Sequence, residues 1–190
     1  MSLHDAGQGR LLVTLAREAI AAELGVPMPV SKVAGQPEGW LAEPGAVFVT
    51  LTREGELRGC IGSLEAHRPL LDDLRANARA AAFSDPRFPP LDVEELDGTQ
   101  VEVSILSRPE PMSFRNEADL LARLRPGIDG VILEYGWHRA TFLPQVWEQL
   151  PEPRQFIAQL KRKAGLATDF WAEDIRVSRY SVEKFKEGTS

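Results

Sequence analysis

A chain of 190 residues, 43% of them hydrophobic, can bury roughly 70% of the surface its unfolded form exposes, enough for one sizeable core. Its 28 acidic and 22 basic residues give a formal charge of −6 spread along the sequence. That balance lacks the basic footprint that phosphate neutralisation requires, so nucleic acid is not an expected partner.

The single cysteine, Cys60, can make no internal disulfide, and a lone thiol suits a reducing compartment, so a cytoplasmic location is expected. The run 10-RLLVTLAREAIAAEL-24 is interrupted by Arg10, Arg17, Glu18 and Glu23 well short of a membrane span. It reads as an amphipathic helix with Leu11, Leu12, Leu15, Ala19 and Ala22 on one face, preceded by an expected frayed segment, residues 1–9. Residues 25–46 are dense in Gly and Pro and are expected to be irregular, a lid or a packed extended segment anchored by Trp40 and Leu41.

The stretches 47-VFVTLTR-53 and 56-ELRGCIGSL-64 flank Glu54-Gly55 and read as a β-hairpin. Pro69 opens a helix over 69–83, whose inward face takes Leu70, Leu71, Leu74, Ala78, Ala81 and Ala82. Asn77 falls on that face, so its amide either ties down a neighbouring segment or faces a cleft. Pro86, Pro89 and Pro90 keep 84-SDPRFPPLDVEEL-96 extended. The strand 100-QVEVSIL-106 places Val101, Val103 and Ile105 on one side and Glu102 and Ser104 on the other. Beyond it come a helix over 116–125 capped by Asn116 or Ser113, a hairpin of 130-GVILEY-135 with 137-WHRATFL-143, and a short helix over 144–150. A helix over 153–165 and a last strand over 175–185 complete the pattern. No repeat or linker divides the chain, so residues 1–190 are expected to form a single domain. Hairpins separated by helices imply an α+β fold with a largely antiparallel or mixed sheet.

Strict alternation along 57–63 would set Arg58, Cys60 and Gly62 on one face and Leu57, Gly59 and Ile61 on the other. A cation beside a thiol favours the thiolate, so Arg58 and Cys60 form a candidate reactive pair; the competing reading is Cys60 as a small buried hydrophobe. Gly59 and Gly62 imply close approach by another backbone, a bulge or a ligand. Glu102 is a candidate base or ligand if its face lines a cleft, and otherwise a solvent-facing residue. His138 is either a hydrogen-bonded structural side chain or a catalytic one. A metal set drawn from Cys60, Glu65, His67 and His138 lacks any close two-ligand spacing, so no metal is assigned. Nucleotide-binding and serine-hydrolase motifs are absent, and the sequence does not specify a cofactor.

The blocks 57-LRGCIGSLE-65, 77-NARAAAFSDPRFPPL-91, 101-VEVSIL-106, 129-DGVIL-133, 141-TFLPQVWEQL-150 and 163-KAGL-166 together resemble the AMMECR family. Its bacterial and archaeal members are called protein A of the AmmeMemoRadiSam system. The resemblance runs from about Val47 to Phe185. It implies an α+β fold with two unequal subdomains and with LRGCIG near a groove between them. It also implies association with Memo-type proteins, which look like extradiol dioxygenases, and with radical S-adenosylmethionine proteins. Matched onto this chain, the candidate site is Arg58, Gly59, Cys60, Gly62 and Glu65, with Asn77, Asp85 and Arg87 from the following block. Glu102 and Ser104 belong to the VEVS block. The expected function is that of a small-molecule-binding enzyme or enzyme component, the alternative being a non-catalytic adaptor that binds those partners through the same groove.

Overall fold

The computed structural model describes residues 4–29, 31 and 39–188. Helix α1 spans Ala6–Glu23, four residues earlier than the apolar periodicity placed its start. A capping box explains the early start: Asp5 accepts from the Gln8 N–H, and the Gln8 side chain accepts from the Asp5 N–H. Of the segment expected to be irregular, residues 30 and 32–38 lie outside the described residues. Its end is a single turn, α2 (Gly39–Ala42), in which Leu41 is fully buried, as an anchor should be.

The chain divides into two compact units. The first comprises residues up to Leu106 and those from Glu183 onward; the second is Ser107–Val182. In the first, β1 (Pro44–Arg53) and β2 (Glu56–Gly62) form the expected hairpin, turning through Glu54 and Gly55, both at positive φ. The two-residue β3 (Arg68–Pro69) pairs with the start of β1 and leads into α3 (Leu70–Phe83). A 3₁₀ turn at Val93–Glu95 interrupts the segment expected to be extended, and β4 (Thr99–Leu106) follows, antiparallel to β1.

The second unit contains β5 (Glu110–Pro111), α4 (Glu117–Arg123), the hairpin β6 (Gly130–Tyr135) and β7 (His138–Phe142), α5 (Pro153–Lys163) and β8 (Arg176–Tyr180). Asn116 is the cap of α4, accepting from the Asp119 N–H. The strand expected over 175–185 is two strands: β8 joins the sheet β5-β8-β6-β7, and β9 (Val182–Lys186) joins β2-β1-β4-β9. Alternation marks extended backbone but not a change of sheet, which Ser181 provides here.

Each unit has its own core. In the first, α1 and α3 cover one face of the sheet, where Val47, Val49, Leu51, Val101 and Val103 meet Leu12, Ile20, Leu74 and Ala78. In the second, Trp147 and Phe156 stack at 3.7 Å between ring centroids, among Leu120, Leu133 and Ile157. The fold is α+β with antiparallel sheets. No helix among the described residues is long and apolar enough to cross a membrane.

Candidate functional site

The central feature is the edge strand β2. Its two-residue turn pairs Arg53 with Glu56 and Thr52 with Leu57, after which the register shifts: Leu51 faces Gly59 and Thr50 faces Cys60, leaving Arg58 unpaired in a β-bulge. A regular hairpin would have set Cys60 opposite Val49, on the helix-covered face. The bulge puts it instead on the opposite face with Thr50, the Thr50 Oγ1 and Cys60 Sγ atoms lying 3.3 Å apart. Cys60 is half-buried there.

The same shift corrects the expected alternation, because Leu57 faces Thr52 and so shares the side of Cys60. Arg58 is held elsewhere. Its Nε and Nη2 donate to the two oxygens of Glu95 at 3.0 and 2.9 Å, and the Phe88 ring centroid lies 5.9 Å from Cζ. Hydrogen bonds from Arg58 and then from the Asp92 N–H pull the Glu95 carboxyl from its ordinary 4.5 down to about 2. The Arg58 Nη1 atom is enclosed with no hydrogen-bond partner among the described residues. The guanidinium is thus engaged by a carboxylate, not held in reserve for a thiolate.

Gly59 faces the helix side, where an added Cβ would lie 2.1 Å from the Ala81 carbonyl oxygen of α3. The glycine is required by backbone approach. Gly62 lies under Phe48, since a Cβ there would sit 2.2 Å from the ring.

Asp85 and Arg87 act on the backbone of Cys60. The Cys60 N–H donates to Asp85 Oδ2 at 2.9 Å, and Arg87 Nη2 donates to the Cys60 carbonyl at 3.2 Å. Arg87 Nη2 also donates to Asp85 Oδ2 at 2.7 Å, so the pair occupies the edge as a neighbouring strand would. Hydrogen bonds from Arg87 and from the Cys60 N–H hold the Asp85 carboxyl well below the usual carboxylate range.

Asn77 takes its structural role. Its amide nitrogen lies 3.2 Å from the Val47 carbonyl, 3.0 Å from Ser63 Oγ and 3.0 Å from Asp73 Oδ2. Asp73, 2% exposed, accepts in addition from the Val47 N–H, Ser63 Oγ and Arg68 Nε. Together these two side chains pin α3 to the hairpin.

Glu65 pairs with His67 at 3.1 Å on the loop beyond β2. His138 is in the second unit and donates from Nδ1 to the Ala164 carbonyl at 2.8 Å, the structural reading. No group of three or more His, Cys, Asp or Glu side chains among the described residues could hold a metal ion.

Glu102 stands opposite Thr50 on β4, and Ser104 stands opposite Phe48. Two rows therefore cross the face of the sheet away from the helices: Cys60, Thr50, Glu102 and Gly62, Phe48, Ser104. Cross-strand neighbours have Cβ atoms about 5 Å apart, so a thiol, a hydroxyl and a carboxylate adjoin one another. Sequence reading missed Thr50, Phe48, Glu95 and Asp73. Thr50 and Thr52 alternate with the apolar residues of β1, a legible signal of its polar face, but the partner of Thr50 on β2 depends on the bulge.

Comparison with known proteins places this arrangement in context. The AMMECR1 family model matches residues 13–185. The chain is 42% identical over 182 residues to a protein of Methanothermobacter thermautotrophicus, covering 95% of this chain and 94% of that one. It is 38% identical over 201 residues to a protein of Thermofilum pendens, covering 100% and 94%. The crystal structure of the uncharacterized protein PH0010 from Pyrococcus horikoshii matches with a TM-score of 0.74 and 36% identity over 95% of this chain and 91% of that one. The bulged hairpin and its Asp85 and Arg87 clasp are thus features of a chain that belongs to the AMMECR1 family.

Proposed function

We propose that this protein is a small-molecule-binding enzyme component whose site is the sheet face carrying Cys60, Thr50 and Glu102, acting together with Memo-like and radical S-adenosylmethionine proteins. The observation that carries this reading is the bulge at Arg58, which turns Cys60 onto the face away from the helices, 3.3 Å from the Thr50 hydroxyl. A thiol destined only for packing would sit on the helix side with Val47, Val49 and Leu51. Asp85 and Arg87 fix the Cys60 peptide on both its N–H and its carbonyl, so the side chain springs from an immobilised backbone. In this reading Cys60 contacts the ligand, Thr50 orients the thiol, and Glu102 supplies a carboxylate one strand further on. Arg58, Asp85 and Arg87 are positioning residues that act through β2.

The test is reconstitution with the Memo-like and radical-enzyme partners, comparing wild type with Cys60→Ala and with Glu102→Gln. Native mass spectrometry of the purified chain runs alongside, to detect a retained small molecule. The reading expects turnover or ligand retention to be lost in Cys60→Ala while the fold and any partner complex persist. Unchanged turnover in Cys60→Ala, with partners captured as before and no small molecule retained, would establish the adaptor instead.

A further inference from the structure

Trp137 is 90% exposed, the most of any large apolar side chain among the described residues. It sits in the two-residue turn between β6 and β7, where Tyr135 pairs with His138. Gly136, at φ +56, supplies the backbone conformation the turn needs, so the turn does not require an indole at the next position. The ring is nevertheless held in place. It stacks on His138 with centroids 5.3 Å apart, and His138 is itself fixed by its bond to the Ala164 carbonyl. A rigid indole loses little freedom on docking, and Trp is among the residues that dominate protein interfaces.

The surroundings of this tip are cationic. Ala164 closes α5, whose last turn carries the exposed Arg162 and Lys163, and Lys163 Nζ donates to the Thr141 carbonyl of β7. Arg139, next to His138, pairs with Glu134. Glu134 and the exposed Asp169, beside the Phe170 ring that meets Tyr135, are fewer than these cations. The first unit offers the complement. Arg53 and Arg58 both bind Glu95, which brings residues 54–58 against the 3₁₀ turn Val93–Glu95. At that junction Leu57 is 43% and Val93 50% exposed. Glu54, Glu56, Asp92, Glu94 and Asp97, all exposed, surround them, while Arg53 and Arg58 are engaged by Glu95. One unit thus carries an apolar knob among cations, and the other an apolar spot among carboxylates.

We propose that these are the two halves of one contact between copies of this chain. Trp137 of one copy seats on Leu57 and Val93 of another, and Arg162 and Lys163 face the carboxylates of the acidic rim. An apolar centre with rims of opposite sign is the make-up of a specific interface, and each chain carries both halves. The contact joins unlike surfaces, so it is head-to-tail. It does not use Cys60, Thr50 or Glu102 and stands or falls separately from the site reading above.

Sedimentation equilibrium of the full chain tests the contact. The weight-average mass of the wild type should rise above the monomer's 21.0 kDa with concentration, and fall back as NaCl is raised from about 0.05 M to about 0.5 M. Trp137→Ala removes the knob and Val93→Lys the socket, with Glu94→Lys as a second socket variant. Each should be monomeric alone with a melting temperature close to wild type. A mixture of Trp137→Ala with either socket variant retains one intact contact and should form a one-to-one dimer that grows no further. A wild-type chain that stays monomeric up to about 0.5 mM overturns the proposal. So does association that survives Trp137→Ala, or that ignores salt. Association lost in Trp137→Ala but unchanged in both socket variants, with no dimer in the mixtures, would establish pairing of tip with tip and overturn it as well.

Discussion

In the first unit the buried carboxylates reach across the fold: Asp73 accepts from the Val47 N–H, 26 residues away, and Asp85 from the Cys60 N–H, 25 residues away. In the second, Asp129, fully buried, closes on Arg125 four residues back, and Arg139 pairs with Glu134 across a tight hairpin. The ion pair of the buried Lys161 with Glu117 is a long-range exception among the described residues of that unit. The difference has a physical consequence. The position of β2 depends on charged side chains supplied by α3 and by residues 85–95. The turns of the second unit are stapled locally, and stacked aromatics fill its centre. A strand held in this way can carry a bulge and a thiol on a polar face without an apolar partner for either.

The sharpest way to break this comparison is at a glycine in each unit. Gly59→Ala drives a Cβ into the Ala81 backbone and should cost about 3 kcal/mol or more, because neither main chain can yield. Gly127→Ala in the second unit, at φ +80 with open space around it, should cost only about 1 kcal/mol of backbone strain. Urea unfolding of the two variants measures both.

Next in size is Asp73→Ala, which strands the Val47 N–H and the Asn77 amide inside the core and should cost about 3 kcal/mol. Lys161→Met offers the contrast. Its partner Glu117 is 37% exposed and can return to water, so the substitution should lie within about 1 kcal/mol of wild type. A large loss there would show that the second unit also relies on its long-range charge.

Acid titration sharpens the role of Arg58. The folded-state pKa of Glu95 lies below its ordinary value, so its contribution is present above about pH 4.5 and is lost as pH falls toward 2. Asp85 is shifted in the same direction. Glu95→Gln should therefore lower stability by about 1 kcal/mol at neutral pH and flatten part of the decline below pH 4.5. Unfolding at pH 6, 4 and 3 checks this, and an unchanged acid profile would deny the pair its role.

The hairpin, the helix faces, the Asn116 cap and the one-sided strand β4 were legible because each is written in neighbouring residues. Asn77 was legible as a tether but not its companion Asp73, whose partners lie far away in sequence. The bulge was invisible: one unpaired residue, Arg58, decides whether Cys60 joins the core or the polar face. The DPRF block showed its importance through resemblance alone. Nothing local announces that Asp85 and Arg87 will complete the edge of β2.

The most direct measurement is the labelling of Cys60 by iodoacetamide in the folded chain and in urea. If the thiol stands on an accessible polar face, the folded chain should react within about tenfold of the unfolded one, independently of stability. Asp85→Ala, which releases the Cys60 peptide, should change that rate. Labelling that proceeds only through global unfolding, at a rate that tracks stability across the variants above, would place Cys60 in the core and contradict the account.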